Sequence, residues 1–167
     1  INAFYKFNDV RFYSDIPTDN STTFSRKEVG KYRQIFYGFS LGVGTQVGRF
    51  GNLIFEGKYE FDEIKNKENE PTTAYKTKIV SLRISTTIDT QDKYPFPESG
   101  VYFSGFYETA VSIFGGETGY SNINFEYKNY FRLSPNHTLS PTIKFGFADK
   151  TLPLSQHHSL GGQESFF

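Results

Sequence analysis

The stretch from Lys78 to Ile88 alternates between mostly apolar and mostly polar side chains, and it constrains the fold more than any other feature. Successive side chains of a β-strand point to opposite faces, so the alternation predicts a strand with one apolar face. One face carries Val80, Leu82, Ile84, Thr86 and Ile88, and the other carries Ile79, Ser81, Arg83, Ser85 and Thr87. The stretch is longer than a usual soluble strand of about 5–6 residues. It matches the span of about 9–11 residues with which a tilted strand crosses a bilayer.

The same alternation recurs along the chain. The further segments run over Gln34 to Val47, Asn52 to Asp62, Val101 to Ile113, Ser121 to Leu133 and Leu139 to Phe147. The opening segment, Asn2 to Tyr13, is aromatic and extended but mixes the two parities, which predicts a β-bulge. The sequence shows no comparable helical period, so we predict an all-β fold of about seven antiparallel strands.

Composition favours an antiparallel transmembrane β-barrel. Aromatic residues make up 19% of the chain, yet its mean hydropathy is negative. The sequence has no run of the roughly 18 apolar residues that a spanning helix needs, whereas a barrel alternates its apolar residues and tolerates a negative average. Aromatic residues near segment ends predict interfacial girdles; they are Tyr59, Phe61, Tyr75, Tyr94, Phe96, Tyr120, Tyr130 and Phe131. The alternative is a soluble antiparallel sandwich, which would have shorter strands.

The first four connections fit the pattern of outer-membrane barrels, which have short periplasmic turns and longer extracellular loops. Two connections are atypical, because Thr90–Gly100 is long for a turn and Gly115–Gly119 is short for an outer loop. We expect Asp15 to Lys31 and Ile64 to Thr73 to be extracellular loops, and residues 149–167 to begin another. Residues 1–167 are expected to form part of one outer-membrane β-barrel domain. They are predicted to be a fragment of a larger barrel, because lipid does not tolerate the open edges of a partial sheet.

A motif from Asp89 to Gly100 separates two of the long segments. Pro95 and Pro97 remove backbone donors and fix φ, so the chain is expected to bend there. Asp89 and Asp92 can accept hydrogen bonds from the amides that the bend frees. Gly100 permits unusual backbone angles where the next strand begins. The motif is predicted to be a structural turn rather than a catalytic site.

This turn and the tail of the chain resemble two motifs of one known family, the bacterial surface antigen superfamily of outer-membrane barrels. Its members include the BamA- and TamA-like insertases and translocases. The turn motif comprises Asp89, Asp92, Phe96, Pro97 and Gly100, similar to the family's Asp-x-x-Asp…Phe-Pro-x-x-Gly. The loop motif comprises Leu160, Gly161, Gly162 and Ser165, similar to the family's Leu-Gly-Gly-x-x-Ser. Phe167 stands where the family has Arg.

The resemblance implies a place in the bacterial outer membrane and a role in inserting or translocating other proteins there. The implied partners are the lipid bilayer, nascent outer-membrane proteins and periplasmic accessory proteins. It also implies that the tail folds back from outside into the barrel lumen. Two other functions stay open: a barrel that anchors or exports a patatin-like lipase, and a passive pore.

Charged residues are predicted to face the lumen, because they share the parity of the polar face. The predicted lumen charges are Arg83, Glu108, Glu126, Lys128, Arg132 and Lys144, and Glu56, Lys58 and Glu60 share their parity. Charges of both signs can pair or stay hydrated in a water-filled lumen. They are interpreted as polar filling, with a docking surface for the returning tail as the alternative.

No catalytic, cofactor or metal site is predicted for this segment. The chain has no Cys, and the adjacent His157 and His158 would face opposite ways in an extended chain. It contains no Gly-x-Ser-x-Gly elbow and no phosphate-binding loop. Its net charge is +0, without a basic patch, so no nucleic acid is expected as a partner.

Overall fold

The computed structural model describes residues 1–17, 24–68, 74–153 and 156. They form one antiparallel sheet in which the first seven strands follow chain order and the eighth pairs with the sixth. The strands are β1 (Asn2–Pro17), β2 (Phe24–Val47), β3 (Gly51–Glu68), β4 (Tyr75–Asp89), β5 (Gly100–Ala110), β6 (Tyr120–Ser134), β7 (His137–Leu139) and β8 (Thr142–Ala148). A 3-10 turn spans Ser112–Phe114. The sheet is a half-barrel, so the prediction of an antiparallel β-barrel fragment is confirmed. No helix in the described ranges is long and apolar enough to cross a membrane.

The pairing register places the predicted apolar positions on one face, the outward face. Phe55 lies opposite Ile84, which lies opposite Tyr107 on the next strand. Eight apolar residues of the alternating segments, which are expected to face lipid, share this face: Leu53, Phe55, Val80, Leu82, Ile84, Ile123, Phe125 and Phe145. Leu82 is 51% exposed and Phe55 53%. No second protein layer covers this face in the part of the chain that the structure describes, as expected for a surface in contact with lipid.

Aromatic rings pack across neighbouring strands on the outward face. The ring of Tyr37 lies 5.2 Å from that of Phe61, and Phe125 lies 5.1 Å from Phe145. Stacked pairs of this kind contribute about 0.5–1.5 kcal/mol beyond the area they bury. The rings therefore help to fix the register that separates the two faces.

Strands β1, β2 and β3 extend farther than predicted, because much of both expected loops is strand. β1 continues to Pro17, β2 begins at Phe24, and β3 continues to Glu68. The prediction that Asp15 to Lys31 and Ile64 to Thr73 are loops is wrong for these parts. The polar composition that suggested loops instead supplies cross-strand ion pairs, such as Arg26 Nε to Asp15 Oδ1 at 3.0 Å.

A β-bulge interrupts the pairing of β1 with β2, but its extra residue lies on β2 and not in the opening segment, where the mixed parity had predicted one. Phe12 pairs with Gly30 but Tyr13 pairs with Glu28, so the extra residue is Val29 on β2. A second shift separates Lys31 from Tyr32 in the pairing of β2 with β3. On the strand that carries the extra residue, each bulge changes whether odd-numbered or even-numbered residues face outward beyond it.

Two strand ends differ from the prediction. β5 stops at Ala110 rather than Ile113, and the following loop continues the sheet locally, because the Glu117 backbone N–H donates to the Lys78 carbonyl at 2.8 Å. The segment predicted as Leu139 to Phe147 is divided into β7 and β8, both paired with β6. Pro141 at the break has no backbone N–H to donate.

Three of the predicted girdle aromatics lie on the other face. The register places Tyr75, Tyr120 and Tyr130 on the polar side of the sheet, opposite Ile64, Ala110 and Gly100. Assigning them to the lipid interface was wrong, because position near a strand end does not reveal which face a side chain occupies. Tyr120 is only 3% exposed there.

Candidate functional site on the polar face

The polar face gathers a buried charge network from four neighbouring strands. Arg83 and Glu108 are direct cross-strand partners on β4 and β5. One row away, Lys58 lies opposite Ser81, and β6 supplies Tyr120. Strand alternation places these side chains on one face, and the register of the strands makes them neighbours. We call Lys58, Ser81, Arg83, Glu108 and Tyr120 the Glu108 cluster.

Glu108 is the centre of this cluster and is fully buried, with 0% exposure. Its Oε1 accepts hydrogen bonds from Ser81 Oγ at 2.7 Å and from the Tyr120 hydroxyl at 2.8 Å. The ammonium of Lys58 lies 3.0 Å from the same oxygen. Oε2 accepts from Arg83 Nε at 2.7 Å, and Arg83 Nη2 contacts it as well. Such dense pairing is what a buried carboxylate requires to offset its desolvation.

The chain after β8 returns across this cluster. The Asp149 backbone N–H donates to the Ser121 carbonyl at 3.0 Å, and the Ser121 N–H donates to the Asp149 carboxylate at 2.9 Å. Leu152, only 7% exposed, then packs with Ile79, Ala110 and Tyr120.

A second contact holds the tail farther along. Gln156 Nε2 donates to Glu60 Oε1 at 2.7 Å. Glu60 is 5% exposed and also lies 3.7 Å from the Lys58 ammonium. The tail therefore rests on the charge network through one apolar and one polar side chain.

The predicted lumen charges form three separate groups. Arg83 and Glu108 belong to the cluster just described. Glu126 lies 2.9 Å from Lys128 and 3.6 Å from Lys144, each measured from carboxylate oxygen to ammonium nitrogen.

Arg132 lies apart from both groups, at the end of the sheet where the turn of residues 89–100 is found. Its Nη1 contacts Glu98 Oε2 at 2.9 Å. The tail leaves β8 beside Asn122, near the other end of β6. The described part of the tail therefore contacts Glu60 and the Glu108 cluster, whereas Arg132 holds the turn.

Sequence reasoning did not single out Ser81, Tyr120, Leu152 and Gln156 as members of this site. Parity alone assigned Ser81 to the polar face, but a serine there gave no sign of an acidic partner. Leu152 was a better signal, since it is an apolar residue in a mostly polar tail. An apolar tail residue suggests a buried apolar partner on the lumen side. Ile79 of β4, which alternation places on that side, is one such partner.

The turn motif forms a closed hydrogen-bonded structure. Asp92 Oδ1 accepts from the backbone N–H groups of Glu98 at 2.9 Å and Ser99 at 3.2 Å. Asp89 Oδ1 accepts from the Gln91 N–H at 3.0 Å. Gly100 has φ +107°, and a Cβ there would lie 2.2 Å from the Thr90 carbonyl oxygen, so only glycine fits.

The remaining turn residues face outward from the motif. Phe96 is 80% exposed. Together with Pro97 it lines a groove of about 500 Å³ against the connection that contains Pro135 and Asn136. Phe96 and Pro97 of the motif therefore lie at the surface, at the end of the sheet.

The charge of Asp92 is expected to make this turn sensitive to acid. The hydrogen bond from the Glu98 N–H holds the pKa of Asp92 below its usual 3.8. Because the pKa is lower in the folded state, the stabilisation is complete above about pH 4 and is lost as pH falls through the lowered value. Hydrogen exchange should show weaker protection of the Glu98 and Ser99 amides at pH 3 than at pH 6.

The matched variant for this prediction is Asp92→Asn, which keeps an acceptor oxygen but cannot ionise. Protection of the two amides in this variant should be weaker at pH 6 and nearly independent of pH. Equal protection of the wild-type turn at both pH values would contradict the assigned role of the carboxylate.

The loop motif of Leu160, Gly161, Gly162 and Ser165 lies outside the described residues. Within those residues, no group of three His, Asp or Glu side chains is arranged as metal ligands would be.

An antiparallel half-barrel with an apolar outer face and a charged inner face defines the wall of a transmembrane β-barrel. The chain matches the Omp85 superfamily domain over residues 3–166, which is nearly its whole length. It therefore belongs to the Omp85 superfamily, and the resemblance to the surface antigen barrels is confirmed. Proteins of this superfamily are outer-membrane proteins that act, in general terms, in protein insertion or translocation. A comparison with curated proteins gave no match.

Proposed function

We propose that this barrel assists the insertion or translocation of other proteins at the outer membrane, without covalent chemistry. Its substrates would be nascent outer-membrane proteins, delivered with the help of periplasmic accessory proteins. The observation that carries the proposal is the return of the tail onto the Glu108 cluster, through Leu152 and Gln156. A segment held against the inner wall suits a barrel with a gated interior better than a passive pore.

The strength of the tail contacts suits a reversible gate. Burying a leucine side chain contributes about 1.5–3 kcal/mol, and a hydrogen bond to a charged group about 1.5–3 kcal/mol. Ordering the tail opposes these gains. Because the gains and the ordering cost oppose each other, a passing polypeptide is expected to displace the docked tail.

The test uses the full-length protein in liposomes, supplied with an unfolded outer-membrane barrel as substrate. We expect faster appearance of the heat-modifiable, protease-protected substrate than in empty liposomes. Leu152→Ser should weaken docking of the tail by about tenfold or more and speed insertion, because the substrate then displaces a weaker contact. Lys150→Ala, a change at an exposed tail residue, should leave the rate unchanged. Equal rates with and without the protein would overturn the proposal.

A patatin-like lipase barrel is the second candidate, favoured by Phe167 at the position where the family motif has Arg. The same liposomes distinguish the two functions. Release of fatty acid from the phospholipid, without faster substrate insertion, would assign the barrel to lipase anchoring or export. Leakage of small solutes, with neither of these activities, would assign it to a passive pore.

A further inference from the structure

The outward face contains a groove at Gly57 of β3. Its volume is about 430 Å³, and its apolar lining comes from Phe39, Tyr59, Val80, Leu82 and Phe114. Phe114 belongs to the 3-10 turn after β5 and is 55% exposed. The groove opens on the face that contacts the hydrocarbon of the bilayer, so an acyl chain is the chemical group it fits.

Folding does not require the glycine that creates this groove. A Cβ at Gly57 would meet only Leu82 Cδ2, at 3.8 Å, which is an ordinary contact. Gly38 on β2 differs, because a Cβ there would lie 2.1 Å from the Tyr59 carbonyl oxygen. A larger side chain at position 57 would therefore be tolerated by the backbone while filling the groove.

Two lysines lie beyond one end of the groove on the same face. Lys78 is the cross-strand partner of Phe61, and Lys76 follows two residues farther along β4. The ammonium of Lys76 lies 5.0 Å from the centre of the Phe61 ring and 5.6 Å from that of Tyr37. Such contacts hold a cation at an aromatic surface while leaving its other side open to a ligand.

Acidic side chains lie near the lysines, and Glu63 is the direct cross-strand partner of Lys76. Glu63 Oε1 lies 3.3 Å from Lys65 Nζ. Glu117 Oε2 accepts from the backbone N–H of Lys78 at 3.0 Å. The three lysines at 65, 76 and 78 outnumber Glu63 and Glu117, so the border between the apolar band and the charged end of the strands carries an excess of positive charge.

We propose that the groove at Gly57 and the lysines at 76 and 78 bind a phosphorylated lipid of the surrounding membrane. One acyl chain occupies the groove, and the headgroup phosphate contacts the two ammonium groups. Four residues separate Gly57 from Phe61 along β3, about 13 Å at the rise of a strand. This distance matches the separation between the headgroup of a lipid and the middle of its acyl chain. The proposal does not depend on the proposed function.

The test compares the retention of two lipids by the full-length protein in neutral detergent, measured by native mass spectrometry. The lipids are phosphatidylglycerol and phosphatidylcholine with identical acyl chains. We expect the wild type to retain phosphatidylglycerol more strongly. Lys76→Gln with Lys78→Gln should weaken phosphatidylglycerol binding by about 25-fold, from about fivefold for each charge near the membrane surface. Gly57→Val should weaken binding of both lipids.

Arg49→Gln is the matched control, because it removes a cation from the turn at the opposite end of β3 and should leave both affinities unchanged. A heat-dependent shift in gel migration verifies that each variant is folded, and Gly57→Ala replaces Gly57→Val if the latter fails to fold. Equal retention of the two lipids by the wild type would overturn the proposal, as would an equal loss in Arg49→Gln. Unchanged binding of both lipids in a folded Gly57→Val variant would also overturn it, since the groove would then contribute nothing.

Discussion

Replacing Glu108 with alanine is expected to lower the free energy of unfolding by about 3–5 kcal/mol, the usual cost of removing one partner of a buried ion pair. Glu108 is fully buried, and its loss would leave Lys58 and Arg83 without their shared carboxylate. Ser81 and Tyr120 would also lose an acceptor. Urea unfolding of the full-length protein in detergent micelles, followed by circular dichroism, measures the change.

Glu126→Ala is the matched control, because it removes another inward glutamate from a neighbouring strand. The Glu126 side chain is 25% exposed, and so water can replace its lysine partners. Its removal should cost only about 0–1 kcal/mol, as for exposed ion pairs. Similar losses in the two variants would show that the Glu108 cluster is hydrated and contributes little to the stability of the wall.

Arginine at position 82 should destabilise the barrel by about 2–4 kcal/mol if the residue lies near the bilayer midplane. Leu82 is on the outward face, in the middle of β4, and is 51% exposed in the isolated sheet. The guanidinium would have to enter hydrocarbon or distort the bilayer to reach water. Unfolding of Leu82→Arg from lipid vesicles measures the penalty.

Ser104→Arg provides the control for this substitution. Ser104 is on the polar face and is the cross-strand partner of Glu126, so an arginine there gains an acidic neighbour. We expect its effect to stay within about 1 kcal/mol. If Leu82→Arg were equally mild, the outward face would not be in contact with lipid.

Strand alternation was sufficient to predict the two faces of β3, β4, β5 and β6. The reason is that side chains alternate between the two faces, so apolar residues such as Leu82 and Phe125 determine the face of every other residue in their strands. Arg83 and Glu108 were placed on the polar face in this way. Their direct pairing depends on the register of β4 with β5, which alternation does not determine.

The tail contacts could not be predicted, because they join residues far apart in the chain. Gln156 and Glu60 are hydrogen-bonded although 96 residues separate them. Local composition also misled at the ends of β1, β2 and β3, where polar residues suggested loops. Cross-strand pairing of charged residues stabilises strands there, which a single strand considered alone cannot reveal.

The bulges after Phe12 and Lys31 have a consequence for how this protein can change during evolution. A one-residue insertion in a regular strand would reverse every side chain beyond it, exposing charge to lipid. A bulge absorbs such an extra residue locally. The extra residues are Val29 on β2 and Lys67 on β3, and both lie toward the end of the sheet where β1 ends and β2 begins. The parts of β1, β2 and β3 beyond them can therefore gain or lose residues independently of the membrane-facing wall. Among relatives, the number of residues is therefore expected to vary in the ends of β1, β2 and β3 beyond the bulges. It is expected to be conserved between Tyr32 and Val47.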